Sequence, residues 1–372
     1  MIPFNIPRIT GNEERYLSEI LRQGQINSGG RFTVKCESFL GELSGCERAL
    51  LTTSCTHALE LSAVLLDIQP GDEVVMPSYT YVSSANAFLL RGAKIIFVDI
   101  CPNQMNIDSS EVERAISTRT KAILVMHYAG VACDMKSIMK IAENHGIYVI
   151  EDAAHCLDAY YQTQHLGSIG HLGSLSFHFT KNIHCGEGGA LLINDQQLQV
   201  RAEILRDKGT NRQAFLNGQV NKYTWVDIGS SYQLSELNAA FLWAQLEQMH
   251  ETTKRRLQIW KRYAEGLKNC PNIQIMGNSI GQNGHIFYLK CANEDQRNAL
   301  IQFLKDHEVT AYFHYIPLHD SPYGRLKTVF SGQDRYTTYE SRRLLRLPIY
   351  FDLSLEQVDY VIELVHQWSK SS

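Results

Sequence analysis

Over its first two-thirds the chain alternates helical stretches with short apolar runs, and this rhythm restricts the fold more than any other feature. Helical periodicity appears at about 12–23, 31–44, 54–67, 79–90, 109–116 and 134–144. Strand-like runs appear at 49–52, 73–76, 94–98, 122–126, 147–151, 174–179 and 190–193. Strands joined through helices pair by crossover, which predicts a mostly parallel sheet covered by helices. Pro70-Gly71-Asp72 and Arg91-Gly92-Ala93 supply turn signals before two of the strands.

From about 235 to 268 a long helical pattern carries the chain out of this sheet. Strands near 273–276, 285–291 and 309–314 follow, with helices near 294–306, 335–345 and 355–368, enough for a small α/β unit. A chain of 372 residues exceeds the size at which one core stops growing, so the expected organisation is a large domain, 1–245, and a smaller one, 246–372. No repeat or flexible linker separates them.

Composition excludes several classes. With 35 basic against 39 acidic residues, the net charge of −4 offers no general attraction to nucleic acid or to an anionic membrane. The nine cysteines are scattered without a C-x-x-C pair, which argues against a disulfide framework or a structural zinc site. No apolar run approaches a membrane span, and the N-terminus lacks the pattern of a secretory signal, so the expected location is the cytoplasm. The 14 histidines form no metal-ligand cluster, no G-x-S-x-G elbow accompanies the serines, and no metal is expected. Arg342, Arg343 and Arg346 read as helix-surface charges.

Lys181 is the residue that points to chemistry. It follows the strand-like Ser174-Leu175-Ser176-Phe177-His178-Phe179 and precedes Gly186-Glu187-Gly188-Gly189, where an amine can reach a ligand. Upstream, Tyr148-Val149-Ile150-Glu151-Asp152 reads as a buried strand ending in an acid. Most lysines are solvated charges, and an acid at a strand end often caps a helix. Together, however, the two suggest pyridoxal phosphate, whose aldehyde condenses with a lysine and whose ring nitrogen is kept protonated by a carboxylate.

A phosphorylated cofactor needs an anion site. Leu50-Leu51-Thr52-Thr53-Ser54-Cys55-Thr56-His57 passes from strand to helix through hydroxyl-bearing residues, so free N–H groups at Ser54 and Cys55 would face a ligand at the carboxyl edge of the sheet. An ordinary N-cap is the plainer alternative. Pro77-Ser78-Tyr79-Thr80-Tyr81 follows another strand end, where Tyr81 would either stack on a flat heterocycle or pack in the wall. Gly186, Gly188 and Gly189 lack the dinucleotide spacing, which disfavours a Rossmann dehydrogenase.

These motifs, in this order, resemble the sugar aminotransferases of the DegT/DnrJ/EryC1/StrS family. The resemblance runs through Asn27-Ser28-Gly29, Thr53-Ser54-Cys55-Thr56-His57, Glu151-Asp152-Ala153-Ala154-His155, Ser176-Phe177-His178 with Lys181-Asn182, Gly229-Ser230-Ser231-Tyr232-Gln233, and Phe313-His314-Tyr315-Ile316-Pro317-Leu318-His319. Pro77-Ser78-Tyr79-Thr80 and Arg346-Leu347-Pro348 are most similar to the transaminases that make dTDP-4-amino-4,6-dideoxyhexoses. The resemblance implies an α/β aspartate aminotransferase fold (fold type I), with a large domain built on a mostly parallel sheet and a smaller C-terminal α/β domain.

It also implies roles. Lys181 would hold pyridoxal 5'-phosphate covalently, Asp152 would pair with the ring nitrogen, and Ser54, Cys55 and Ser176 would bind the phosphate. Tyr81 would cover one ring face, and His155 stands where the family usually has glutamine, beside the ring oxygen. Ser231 and Gln233 occupy the segment that in the family reaches a neighbouring subunit's phosphate, so a homodimer with shared sites is implied. Ser28, His314 and His319 would border the sugar nucleotide.

The expected reaction moves the amino group of L-glutamate to dTDP-4-dehydro-6-deoxy-D-glucose, giving the galacto or gluco 4-amino-4,6-dideoxy sugar for a surface polysaccharide such as O-antigen. A 3-keto or other nucleotide sugar, or a non-catalytic sugar-nucleotide-binding role, are the alternatives.

Overall fold

The computed structural model describes residues 1–277 and 280–371. Eight strands form its main sheet, in the order Arg48–Thr52, Gly189–Ile193, Leu172–Ser176, Tyr148–Asp152, Thr120–Met126, Glu73–Pro77, Lys94–Val98 and Thr328–Phe330. The first two pairings are antiparallel and the remaining five are parallel. The central strands are buried along nearly their whole length, which is why they read as apolar runs without alternation. Helices cover both faces, and apolar clusters fill both layers: Ala58, Leu61 and Phe88 belong to one, Val112, Ile138 and Ala142 to another.

A second sheet of three antiparallel strands, Gln274–Ile275, Phe287–Lys290 and Leu344–Leu347, packs with helices Met249–Leu267, Glu294–Asp306 and Leu355–Ser371 around Trp260, Phe287 and Val361. Tyr79, Met126 and Tyr128 of the main-sheet region join that same cluster, so the two sheets share apolar contacts.

Three local expectations are corrected, and one strand was missed. The pattern at 235–268 is two helices, Glu236–Leu246 and Met249–Leu267. The first packs against Glu13–Gln23 and Arg31–Ser44 and the second against Leu355–Ser371, so one straight axis cannot serve both partners. The run at 309–314 is no strand; its ladder pairing is limited to the isolated bridges Ile2↔Val309 and Tyr312↔Arg346 among the described residues. The helix expected at 335–345 is Thr337–Arg343, after which the chain becomes strand Leu344–Leu347. Thr328–Phe330, unrecognised in the sequence, is the far edge of the main sheet, paired parallel to Lys94–Val98.

Candidate active site

The carboxyl ends of the parallel strands open onto a cavity of about 600 Å³, walled on the other side by residues of the C-terminal third and by Phe4 and Asn5 of the N-terminal segment. Ser54, Cys55, Tyr81, Asp152, His155, Ser176, Lys181 and His314 all line it.

One end of the cavity begins where strand Arg48–Thr52 turns into helix Cys55–Leu65. Ser54 caps that helix by accepting the His57 N–H at 3.1 Å. Among the described residues, no acceptor takes the N–H groups of Cys55 and Thr56, the first two helical positions, and both residues face the cavity. Gly189 lies against this turn so closely that a Cβ would overlap the Ser54 carbonyl carbon and the Cys55 nitrogen. Free donors, helix dipole and close packing together are what an anion cradle requires.

Asp152 ends strand Tyr148–Asp152 and is only 4% exposed. Its Oδ2 accepts the Ser84 hydroxyl at 2.6 Å and its Oδ1 the Ala154 N–H at 3.2 Å. Burial pushes its pKa above the ordinary aspartate value, against these hydrogen bonds and the Lys181 charge. The strand end is pinned by Glu151, which is fully buried and accepts N–H groups from Gly167, Ile169 and Gly170 at 2.8, 2.7 and 2.6 Å. Nδ1 of His127 accepts the Cys133 N–H at 3.1 Å, so His127 donates from Nε2 to Glu151 at 2.8 Å.

Beyond Ser176 the chain leaves the sheet in a tight loop held by Phe179 N–H to Gly186 O and Cys185 N–H to Phe177 O. Lys181 is carried on this loop. Its Nζ has no hydrogen-bond or ion-pair partner among the described residues, and burial lowers its pKa below the ordinary lysine value.

Three imidazoles meet opposite. His155 and His285 lie with ring centroids 4.5 Å apart, and His155 and His314 stack at 6.3 Å. Nδ1 of His155 accepts the Ala129 N–H at 3.3 Å, which puts the ring proton on Nε2. Nδ1 of His285 lies 2.8 Å from Asn182 Oδ1, so there the proton is on Nδ1. Tyr79 bonds the Tyr128 hydroxyl at 3.4 Å, and that hydroxyl lies 2.7 Å from His314 Nδ1. Burial, reinforced by the Lys181 and Arg346 charges, holds all three well below the ordinary histidine pKa, so they are neutral.

Four expected site residues are not brought to the cavity. His319 is engaged by Ser78 at 2.7 Å and by Asp334 at 3.1 Å. Ser28 donates to Gln233 at 2.8 Å, and Ser231 is solvent-exposed, bridging to Asp207. All four lie outside the cavity lining of this single chain. Conversely, Arg346 is corrected from a helix-surface charge to a cavity residue on strand Leu344–Leu347, and Arg256, His285 and Tyr315 also line the wall. A cation inside Leu344-Leu345-Arg346-Leu347 was the signal available for Arg346. Tyr315 stands beside His314 in the motif at 313–319, and nothing local marks Arg256 or His285.

The donor set fits pyridoxal phosphate. An amine on Lys181 and N–H groups after Ser54 that have no partner among the described residues, with a buried carboxylate on Asp152 that none of their cations pairs, share one cavity with a neutral imidazole donor on His155. Lys181, Asp152, Ser54, Cys55, Ser176, His155 and Tyr81 are the residues that would hold it.

The sequence pattern of the DegT/DnrJ/EryC1/StrS aminotransferase family matches residues 7–366. The spore coat polysaccharide biosynthesis protein SpsC of Bacillus subtilis (strain 168) is 32% identical over 383 residues, covering 100% of this chain and 98% of that protein. Among solved structures, the aminotransferase TlmJ from Streptoalloteichus hindustanus superposes with a TM-score of 0.91 at 28% identity, covering 100% of this chain and 99% of that one. Spr1654 from Streptococcus pneumoniae in its PMP-form gives 0.91 at 27% identity with 100% of both chains covered, and its PLP-form gives 0.89 at 27%, covering 100% of this chain and 99% of that one.

Proposed function

This chain belongs to the DegT/DnrJ/EryC1/StrS aminotransferase family, and from that premise we propose that it moves the amino group of L-glutamate onto C4 of dTDP-4-dehydro-6-deoxy-D-glucose. The chain is a sugar aminotransferase of fold type I, and its cofactor is pyridoxal 5'-phosphate. The product would be the galacto or gluco 4-amino-4,6-dideoxy sugar, made in the cytoplasm for a surface polysaccharide. SpsC, named for spore coat polysaccharide biosynthesis, supports the polysaccharide part of this reading.

One observation carries the chemistry: among the described residues, the amine of Lys181 is unpartnered in a cavity whose only buried carboxylate is Asp152. When bound, pyridoxal phosphate supplies an aldehyde that condenses with amines and a ring that takes up electrons as a C–H bond breaks. Lys181 would anchor it and, once released, its Nζ would take the proton leaving the donor's α-carbon and pass it to the cofactor's former aldehyde carbon. A lowered pKa raises the neutral fraction able to do so. Asp152 keeps the ring nitrogen protonated, and that cation in turn compensates the buried carboxylate. His155 donates from Nε2, and Ser54, Cys55 and Ser176 bind the phosphate. In the second half of the cycle Lys181 would carry a proton from that former aldehyde carbon to C4 of the sugar.

A homodimer completes the site in this proposal. Tyr223, Trp225, Val226 and Ile228 form an exposed apolar stretch, Trp225 being 78% exposed in the single chain, which a second copy would cover. The neighbouring Ser231 and Gln233 would then approach the partner's phosphate site.

The test is incubation of the protein with pyridoxal phosphate, glutamate and dTDP-4-dehydro-6-deoxy-D-glucose, followed by assignment of C4 by proton couplings. A 4-amino sugar is expected, and the couplings assign its configuration. Loss of the cofactor's yellow colour with glutamate but no 4-amino product would redirect the assignment to 3-keto or other nucleotide sugars. No colour change would favour a non-catalytic binding role.

A further inference from the structure

The cavity holds more positive charge than the cofactor explains. Lys181, Arg256 and Arg346 line it, against Asp152 and the exposed Glu187. Neither arginine forms an ion pair among the described residues. Arg256 is 5% exposed and spends Nε and Nη2 on the carbonyl oxygens of Gly284 and His285, at 3.1 and 2.8 Å.

Arg346 is less satisfied. Its Nε is buried without a partner, and its Nη2 makes one long bond, 3.3 Å, to the carbonyl of Phe313. The guanidinium lies over the Phe4 ring at 4.8 Å. Its backbone is fixed on both sides, by Tyr288 in the three-stranded sheet and by Tyr312 through N–H···O bonds of 2.8 and 3.3 Å. A rigidly mounted fork of donors with no anion of its own is prepared to receive one.

We propose that Arg346 is the residue that binds a carboxylate of the amino donor, with Arg256 adding positive charge to the same cavity. This rests on the glutamate reading above and extends it. A cofactor phosphate seated at Ser54 and Cys55 would leave the anion for Arg346 to a substrate, and the substrate that must present its α-carbon to Lys181 is a dicarboxylate. The diphosphate of the nucleotide sugar is the competing source of the same negative charge.

Titration of the holoenzyme with glutarate, an unreactive dicarboxylate, and separately with dTDP distinguishes the two by calorimetry. Arg346→Gln should weaken glutarate binding and raise the half-saturating glutamate concentration of cofactor bleaching by about 10- to 100-fold. It should leave dTDP affinity and the melting temperature nearly unchanged. Arg346→Lys, which keeps the charge and loses the fork, should fall between Arg346→Gln and the unchanged protein, and it stands in if the Gln variant does not fold. Unchanged glutarate affinity in Arg346→Gln overturns the proposal, and so does loss of dTDP binding with glutarate binding retained. If the unsubstituted holoenzyme bleaches with glutamate, only the Arg346 assignment is at stake. If it does not, the donor reading falls as well.

Discussion

Ser84 donates its hydroxyl to Oδ2 of Asp152 at 2.6 Å, and this bond turns the carboxylate at the strand end without neutralising it. Burial opposes ionisation of Asp152, so the ion is best compensated by a cation brought from outside the chain. Asp152→Asn keeps the size of the side chain and removes the charge. Turnover should fall at least about a hundredfold, with a smaller effect on sugar affinity and with cofactor still bound. Near-normal turnover would remove Asp152 from its assigned role.

The His155 ring, fixed as the Nε2–H tautomer by Ala129, acts in this reading as a neutral donor. His155→Gln preserves an N–H donor and should retain activity within about tenfold. His155→Phe keeps the ring volume and loses the donor, and should cost at least about a hundredfold with a displaced cofactor absorption band. Equal activity of the two variants would show that the hydrogen bond contributes nothing.

Gly189→Ala tests the anion cradle. The added methyl has to displace the start of helix Cys55–Leu65, so the variant should lose about 1–3 kcal/mol of stability. It should also lose the stabilisation that pyridoxal phosphate gives the native protein. Melting temperatures with and without cofactor measure both effects.

Glu340 receives Lys290 at 2.7 Å and Arg343 at 2.9 Å, and Lys290 and Glu340 are almost wholly buried. Removing the carboxylate strands two cations, whereas removing Lys290 leaves Glu340 paired with Arg343. Glu340→Gln should therefore cost about 3–5 kcal/mol and Lys290→Met distinctly less. Chemical denaturation of both variants gives the ordering.

His165 is 1% exposed, its Nε2 accepts the Asp158 N–H at 3.1 Å, and burial brings its pKa down to about 4. Unfolded, the same group titrates near about 6.5. The unfolded chain therefore binds the proton first, and stability falls as pH drops below about 6.5, levelling off near 4. His155 and His285 act in the same direction. In urea unfolding between pH 7 and 5, His165→Gln should show a shallower decline, by up to about 1.4 kcal/mol per pH unit. Parallel declines would contradict the assignment.

Much of the fold was legible because a buried parallel sheet prints itself as short apolar runs separated by helical periods. Lys181 and Asp152 were legible for a related reason: each is a charged group beside such a run, where local pattern alone makes it conspicuous. Arg346 was misplaced because helix Thr337–Arg343 passes directly into strand Leu344–Leu347, and the run of arginines at 342, 343 and 346 masked the change of period. Arg256 and His285 carried no signal. Their place in the wall depends on how helix Met249–Leu267 and the segment before Phe287–Lys290 pack, which no local periodicity encodes. His319 resembled a site residue in motif, yet Ser78 and Asp334 occupy both of its nitrogens.

The return of the chain to the main sheet at Thr328–Phe330 has a practical result. Because that strand shields the Lys94–Val98 edge, a fragment ending near residue 245 would be left with a raw border of unpaired amides, prone to sticking to its own kind. The polypeptide is stitched like a lockstitch, from Ile2 beside Val309 to Phe330 beside Phe97, and cutting between its two sheets would yield two damaged pieces.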